Sequence, residues 1–261
     1  MTRSALTVEE HCAGIEEAVE RMARSSTAAG LDTAVPTCPG WDVRDLLAHQ
    51  GMVHRWAAAV VGGEDRRAVD TDGFQAAGVA SPDPVAWLRS GAADLLEALR
   101  AAPDDLEALT FLKEAPPPRL FWARRQHHEA TIHALDALAA EAARAPTAGD
   151  AWFTAATAID GIDELLVGFW QRRSSGPRAP EGRPYTALVT ADTGHRWRLD
   201  VGAESVRTRR LDADGEVPGT DAAVLSGPAV DLYLALWNRG GEVDDPEQLL
   251  ARWQGGGSVV W

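Results

Sequence analysis

The chain holds only two cysteines, Cys12 and Cys38, in 261 residues. Two are too few for a disulfide framework, and they fit a reducing cytosol. Long apolar runs are missing as well. There is no stretch of about 18 uncharged apolar residues, and no basic segment followed by an apolar one opens the chain. Neither a membrane span nor a signal peptide is expected, and the expected location is cytoplasmic. Positive charge is scarce: 25 Lys and Arg stand against 39 Asp and Glu, a formal net charge of -14. That argues against a broad phosphate-binding surface, so nucleic acid and anionic membranes are not expected partners. An anionic ligand must be met by a local cluster of cations. Lysine is represented by Lys113 alone. With abundant Ala and Gly, this is a coding bias and carries no mechanism.

What is present reads first as helix. Val8 to Ala29 is amphipathic and follows Thr7, a good N-cap. The "TCPGWD" segment is a turn, and Asp42 can cap a helix that runs to about Val61. Asp83 with Pro84 opens a third helix, Leu120 to Ala143 makes a fourth, and Asp150 to Arg172 a fifth. The texture then changes. "QRRSSGPRAPEGRP" is rich in Gly, Pro, Ser and Arg and reads as an exposed linker. After it, "YTALVT", "HRWRLDV", "SVRTRRL" and "DAAVLSG" read as antiparallel strands, with helices in "GPAVDLYLALWNR" and "DPEQLLARW". The expected class is α+β: a helical bundle of four main helices plus a fifth over 1–172, a linker over 173–184, and a small α+β domain over 185–261.

One stretch concentrates chemistry. "RRQHHEATIHALDA", from Arg124 to Ala137, holds three histidines and a glutamate. Glu129 and His133 are four apart, which on a helix leaves them about 40° apart and one turn apart in height. Two such side chains can grip one ion. His128 and His133 are five apart, about 140° around, and cannot. The zincin pattern fails, because Ile132 stands where its second histidine belongs. Trp122, Gln126, Glu129, His133 and Asp136 share one helical face, which could equally be a polar stripe facing water. A third ligand must come from elsewhere. His49 is the candidate, on a stripe with Leu46, Val53 and Trp56; its ordinary reading is a satisfied core histidine. His54 points elsewhere, and His11, His127 and His195 read as surface or structural. Two imidazoles and a carboxylate suit Zn²⁺ and leave a position open, as catalytic sites do. With a divalent ion the set carries one net positive charge, which a thiolate would neutralise, and a metal-bound thiol is deprotonated.

These residues carry a resemblance. "CPGWDVRDLLAH", followed far downstream by Arg125, Glu129, His133 and Asp136 in an RxxxExxxHxxD pattern, resembles the mycothiol-dependent maleylpyruvate isomerase family within the DinB-like metalloenzyme superfamily. "SGPAVDLYLALWNR" resembles that family's C-terminal domain, which is similar to sterol-carrier domains. The resemblance covers nearly the whole chain. It implies a DinB-like bundle, a divalent metal, usually zinc, on His49, Glu129 and His133, and mycothiol as thiol cosubstrate. It implies a small electrophilic substrate, whose cis double bond the thiol adds to in the isomerase; the adduct rotates, and elimination yields the trans product. The late arginine matched by Arg239 is implicated in activity, and a guanidinium is a sensible clamp for a carboxylate. The ordinary reading of Arg239 is a helix C-terminal cation serving the dipole.

Other readings stay open beside these. Some relatives attach mycothiol to other electrophiles, so an S-transferase is an alternative to an isomerase. A non-catalytic protein binding a metal or an apolar ligand is a second alternative. Cys38 could be a metal ligand, a redox thiol or a small packed residue. Trp41 reads as an anchor for its turn. Arg125 is placed to pair along its own helix, and Asp136 to orient an imidazole or to face water.

Overall fold

Local chemistry starts each helix of the first unit. Thr7 accepts from the Glu10 amide at 3.2 Å while the Glu10 carboxylate accepts from the Thr7 amide at 2.7 Å, and α1 runs Val8–Ala29. Asp42 and Asp45 form the same reciprocal cap for α2, Val43–Val61. Asp70 caps α3, Thr71–Val79, and Asp83 caps α4, Pro84–Ala101, with Pro84 in its first turn. These caps satisfy amides that the helix cannot bond internally. α5, Pro118–Ala142, has no side-chain cap and begins on a proline, whose missing N–H is no loss there.

The computed structural model describes residues 6–172, 175–212 and 222–254. The chain divides into two units, Met1–Phe111 with Ala115–Pro146, and Leu112–Glu114 with Thr147–Trp261. In the first, α5 is the central element. It packs against α1, α2 and α4, and eighteen of its 25 residues are buried. Leu46, Trp122 and Ile132 lie in this core, and Trp41 and Trp56 are half-buried. Small residues let α1 and α5 approach closely. A Cβ on Gly14 would fall 2.1 Å from Nε2 of His127. α3 was not foreseen from the sequence. Gly78 is its only buried residue, so it lacks an apolar face to read.

In the second unit, α6 (Ala155–Asp163) runs into a π-helical turn, Glu164–Phe169. A four-stranded sheet follows: β1 Tyr185–Ala191, β2 Arg196–Val201, β3 Val206–Leu211 and β4 Ala223–Gly227, in the order β3-β2-β1-β4. Pairing aligns Ala187, Leu199 and Thr208, and Val189, Trp197 and Leu225, so one face is buried. Asp163 receives the Trp197 indole N–H at 3.0 Å and two bonds from Arg210 at 2.7 Å, tying α6 to β2 and β3. α7 is Ala229–Leu236, with Pro228 at its N-cap, and α8 is Leu249–Gln254. Among the described residues, no helix is long and apolar enough to cross a membrane.

Three expectations need correction. The border between units falls at 146/147, not near 172, so α6 belongs with the sheet. The segment read as an exposed linker is packed only in the first half of its described part: Ser175, Pro177 and Ala179 are buried, and Ala179 N–H donates to Gly202 O at 2.9 Å, whereas residues 180–184 are exposed as expected. Gly176 sits at φ +80° against Trp170, where a Cβ would lie 2.6 Å from the carbonyl oxygen. Its glycine serves close approach rather than freedom. Residues 173 and 174 lie outside the described residues. Finally, β4 pairs parallel to β1, not antiparallel, and lies at the opposite edge of the sheet from β3.

Candidate metal centre

The polar stripe of α5 faces inward. Trp122, Gln126, Glu129, His133 and Asp136 are all buried, none more than 6% exposed. A buried polar stripe must find partners, because an unpaired polar group in a core costs about 1–3 kcal/mol. Most of this one finds them. Trp122 donates its indole N–H to Leu109 O at 3.0 Å. Gln126 Oε1 lies 3.1 Å from Nδ1 of His54, whose ring is fully buried. Arg125, also buried, donates to Glu129 Oε2 at 2.8 Å. Nδ1 of His133 lies 2.9 Å from Asp136 Oδ2.

Those bonds leave one atom of each group over, and the leftover atoms converge. Glu129 Oε1 is 3.4 Å from His133 Nε2 and 3.6 Å from His49 Nε2. One ligand atom from each of His49, Glu129 and His133 lies within 4.8 Å of the others. Glu129 Oε1 and His49 Nε2 are buried and have no hydrogen-bond partner among the described residues. Two lone-pair atoms aimed at one point, with neither satisfied, is what a cation would resolve. The donor set and the orphaned atoms therefore fit a divalent ion such as Zn²⁺.

The local field agrees. Burial pushes Glu129 up, but the His133 and His49 imidazoles and the Arg125 charge outweigh it, so its carboxyl is held well below the usual range. Burial pulls His133 down, but Asp136, Cys38 and Glu129 outweigh it and hold its pKa well above the ordinary value. The site therefore draws positive charge to this point.

The turn before α2 closes over the site. Trp41 places its ring 4.8 Å from that of His49 and 6.0 Å from that of His133, so it packs on the imidazoles as well as anchoring the turn. Thr37 Oγ1 donates to Asp136 Oδ1, and Cys38 Sγ to Asp136 Oδ2 at 3.2 Å. Cys38, His133 and Asp136 form the other group of potential ligands among the described residues.

The remaining histidines separate from the site. His11 and His127 are buried, with their Nδ1 atoms 3.1 Å apart, and His128 stacks on His127. The ordinary reading as a core histidine fits His54, not His49. Arg239 lies in the second unit at the end of α7, half-buried, where its Nη1 donates to Trp237 O at 2.8 Å. Helical spacing singled out Glu129 and His133, and an apolar stripe with the family pattern singled out His49. It gave no sign of Thr37, whose role comes from tertiary contact alone.

Comparison with known proteins now bears on the chain. The family profile described as "Mycothiol maleylpyruvate isomerase N-terminal domain" matches residues 12–138. That described as "MDMPI C-terminal domain" matches 156–253. The chain belongs to the mycothiol-dependent maleylpyruvate isomerase family. This is a family of enzymes, and its two domains cover both units, with the gap between them spanning the border at 146/147. Two crystal structures share the fold. One is of a histidine-to-alanine mutant of the mycothiol-dependent maleylpyruvate isomerase, with TM-score 0.61, 17% identity, and coverage of 94% of this chain and 98% of that one. The other, of the mycothiol-dependent maleylpyruvate isomerase itself, gives TM-score 0.59 at 17% identity and the same coverage. At that identity the likeness is one of fold. No curated protein matches the chain by sequence.

Proposed function

We propose that the chain is a mycothiol-dependent metalloenzyme acting on a small electrophile, in the manner of maleylpyruvate isomerase, with one divalent ion, zinc, held by His49, Glu129 and His133. The observation that carries this is the pair of orphaned buried atoms, His49 Nε2 and Glu129 Oε1, facing His133 Nε2. Family membership supplies the thiol. A bound Zn²⁺ supplies a Lewis acid that keeps a coordinated thiol ionised near neutral pH.

The chain's own residues set the conditions for that chemistry. Arg125 fixes Glu129 by its second oxygen, which leaves Oε1 for the ion. Asp136 holds the Nδ1 proton of His133, which leaves Nε2. Arg125 and Asp136 cancel in charge, so the ion and Glu129 together leave one positive charge, enough to favour one thiolate. Burial of the stripe keeps water from competing.

Arg239 is the proposed receiver for a carboxylate of the substrate, since so acidic a chain needs a local cation to hold an anion. Arg239→Ala is expected to weaken turnover of anionic electrophiles by about 2–5 kcal/mol, typical of removing one partner of a charged pair. It should leave an uncharged electrophile and the metal content unchanged. Equal damage to charged and uncharged substrates would make Arg239 a helix cap. Metal analysis of the purified protein, followed by turnover of maleylpyruvate and a panel of electrophiles with mycothiol, tests the whole reading. Turnover of another electrophile alone would favour a mycothiol S-transferase. Full metal with no thiol-dependent turnover would favour a non-catalytic binding protein.

A further inference from the structure

Asp136 is fully buried, and the turn before α2 reaches it from another part of the chain. Three donors surround its carboxylate. Thr37 Oγ1 lies 2.6 Å from Oδ1, and Cys38 Sγ and His133 Nδ1 lie 3.2 and 2.9 Å from Oδ2. The carboxylate has no proton to give, so all three groups donate to it. In the neutral ring the His133 proton must then sit on Nδ1, and Nε2 carries the lone pair, on the side where Glu129 Oε1 lies.

The turn itself is held stiffly. Val35 N–H donates to Trp41 O at 2.9 Å, Cys38 N–H to Val35 O at 3.0 Å and Trp41 N–H to Cys38 O at 3.0 Å. Val43 N–H donates to Thr33 O at 3.0 Å, which joins the turn to the first residues of α2. The backbone that presents Thr37 and Cys38 is therefore fixed from within and does not depend on Asp136 to hold its shape.

We infer that Thr37 and Cys38 are positioning residues for the metal centre: through Asp136 they fix the tautomer and the ring orientation of His133, and the Cys38 thiol serves as a hydrogen-bond donor, not as a ligand. This rests on the proposed His49, Glu129 and His133 site. It also settles between two uses of the same atoms, because Cys38, Asp136 and His133 are close enough to hold an ion themselves. In the structure their polar atoms are spent on one another, whereas His49 Nε2 and Glu129 Oε1 are not.

The test is zinc affinity of the metal-stripped full chain, by competition with a chromophoric chelator. Groups that orient metal-bound histidines typically change affinity by roughly 10- to 100-fold when removed. Asp136→Ala and the double variant Thr37→Val/Cys38→Ala should therefore bind zinc roughly 10- to 100-fold more weakly. Cys38→Ser, which keeps a donor at the same place, should retain near-normal affinity. Circular dichroism of the stripped proteins guards against misfolding, and Cys38→Ser is conservative enough to remain informative if the double variant does not fold. Cobalt-loaded protein should show no thiolate-to-metal charge-transfer band in the near ultraviolet. Such a band, or loss of affinity in Cys38→Ser, would overturn the inference and make Cys38 a ligand. Unchanged affinity in the folded double variant would overturn it too. Failure of the unmutated chain to bind zinc would instead defeat the metal reading beneath it.

Discussion

Helix α5 carries two sets of buried histidine contacts that answer burial in opposite ways. On one, nitrogen meets a polar partner across a hydrogen bond: His127 with His11, and Gln126 with His54. On the other, His133 and Glu129 each spend one atom on a neighbour and leave the other facing His49. The α5 side chains of both sets are buried, so burial along this helix does not distinguish them. What does is whether the hydrogen-bonding capacity closes among the protein's own groups. A closed set is structure, and a set with converging leftovers is a place for a ligand.

The sharpest way to break this comparison is to remove one histidine from each side. His49→Ala and His133→Ala should take bound metal from about one ion per chain to nearly none, and thiol-dependent turnover with it. His127→Ala should keep its metal while losing stability. Elemental analysis of the purified variants checks both, and full metal in His133→Ala would sink the assignment. Arg125→Ala comes next. It strips a buried carboxylate of its partner, which costs about 3–5 kcal/mol when a buried pair is broken. Urea unfolding of the metal-free protein measures this, and a loss under 1 kcal/mol would show that Arg125 does not hold Glu129.

The closed side makes a pH prediction. Burial pushes His54 down to about 4, against the hydrogen bond that its ring donates to Gln126 Oε1. A histidine depressed in the fold takes up its proton first in the unfolded chain. Its contribution is complete above the ordinary value near 6.5 and is lost as pH falls from there towards 4, by about 3 kcal/mol in total. His54→Gln should flatten that part of the stability profile, as followed by denaturation between pH 7 and pH 4. The smallest effect is expected at Gly14. A methyl group there collides with the His127 ring, and overpacking of this kind costs about 1–3 kcal/mol. Gly14→Ala should lower the melting temperature and leave zinc affinity alone; a change in affinity would mean that the two sides of α5 are coupled.

The sequence placed Glu129, His133 and Asp136 on one helical face, because a 4-3 spacing admits no other arrangement. It did not say whether that face looked inward. A polar stripe has the same spacing in water and in a core, and only tertiary packing decides. His49 was legible through its apolar neighbours Leu46 and Val53 and through the family pattern. Thr37 was not, since its contact with Asp136 joins residues 99 apart in the chain. The helices with reciprocal caps at Thr7 and Asp42 began where their signals stood, whereas α3 offered no apolar stripe. Strand pairing was misread at β4 because alternation specifies a face but not a direction. The Gly- and Pro-rich segment after Arg172 misled in its first half because composition cannot tell a glycine that bends freely from one such as Gly176 that admits a neighbour.

The arrangement also determines how the gene can change. Arg125, Glu129, His133 and Asp136 hang on one uninterrupted helix, where inserting a single residue rotates everything beyond it by about 100°. One codon gained or lost between Arg125 and Asp136 would therefore dismantle the proposed ligands and their supports together. The chain between His49 and Arg125 is under no such constraint, because only the packing of α2 on α5 must survive. Homologous genes should accordingly vary in length across 62–117 and keep the 4-4-3 spacing of the later helix unbroken.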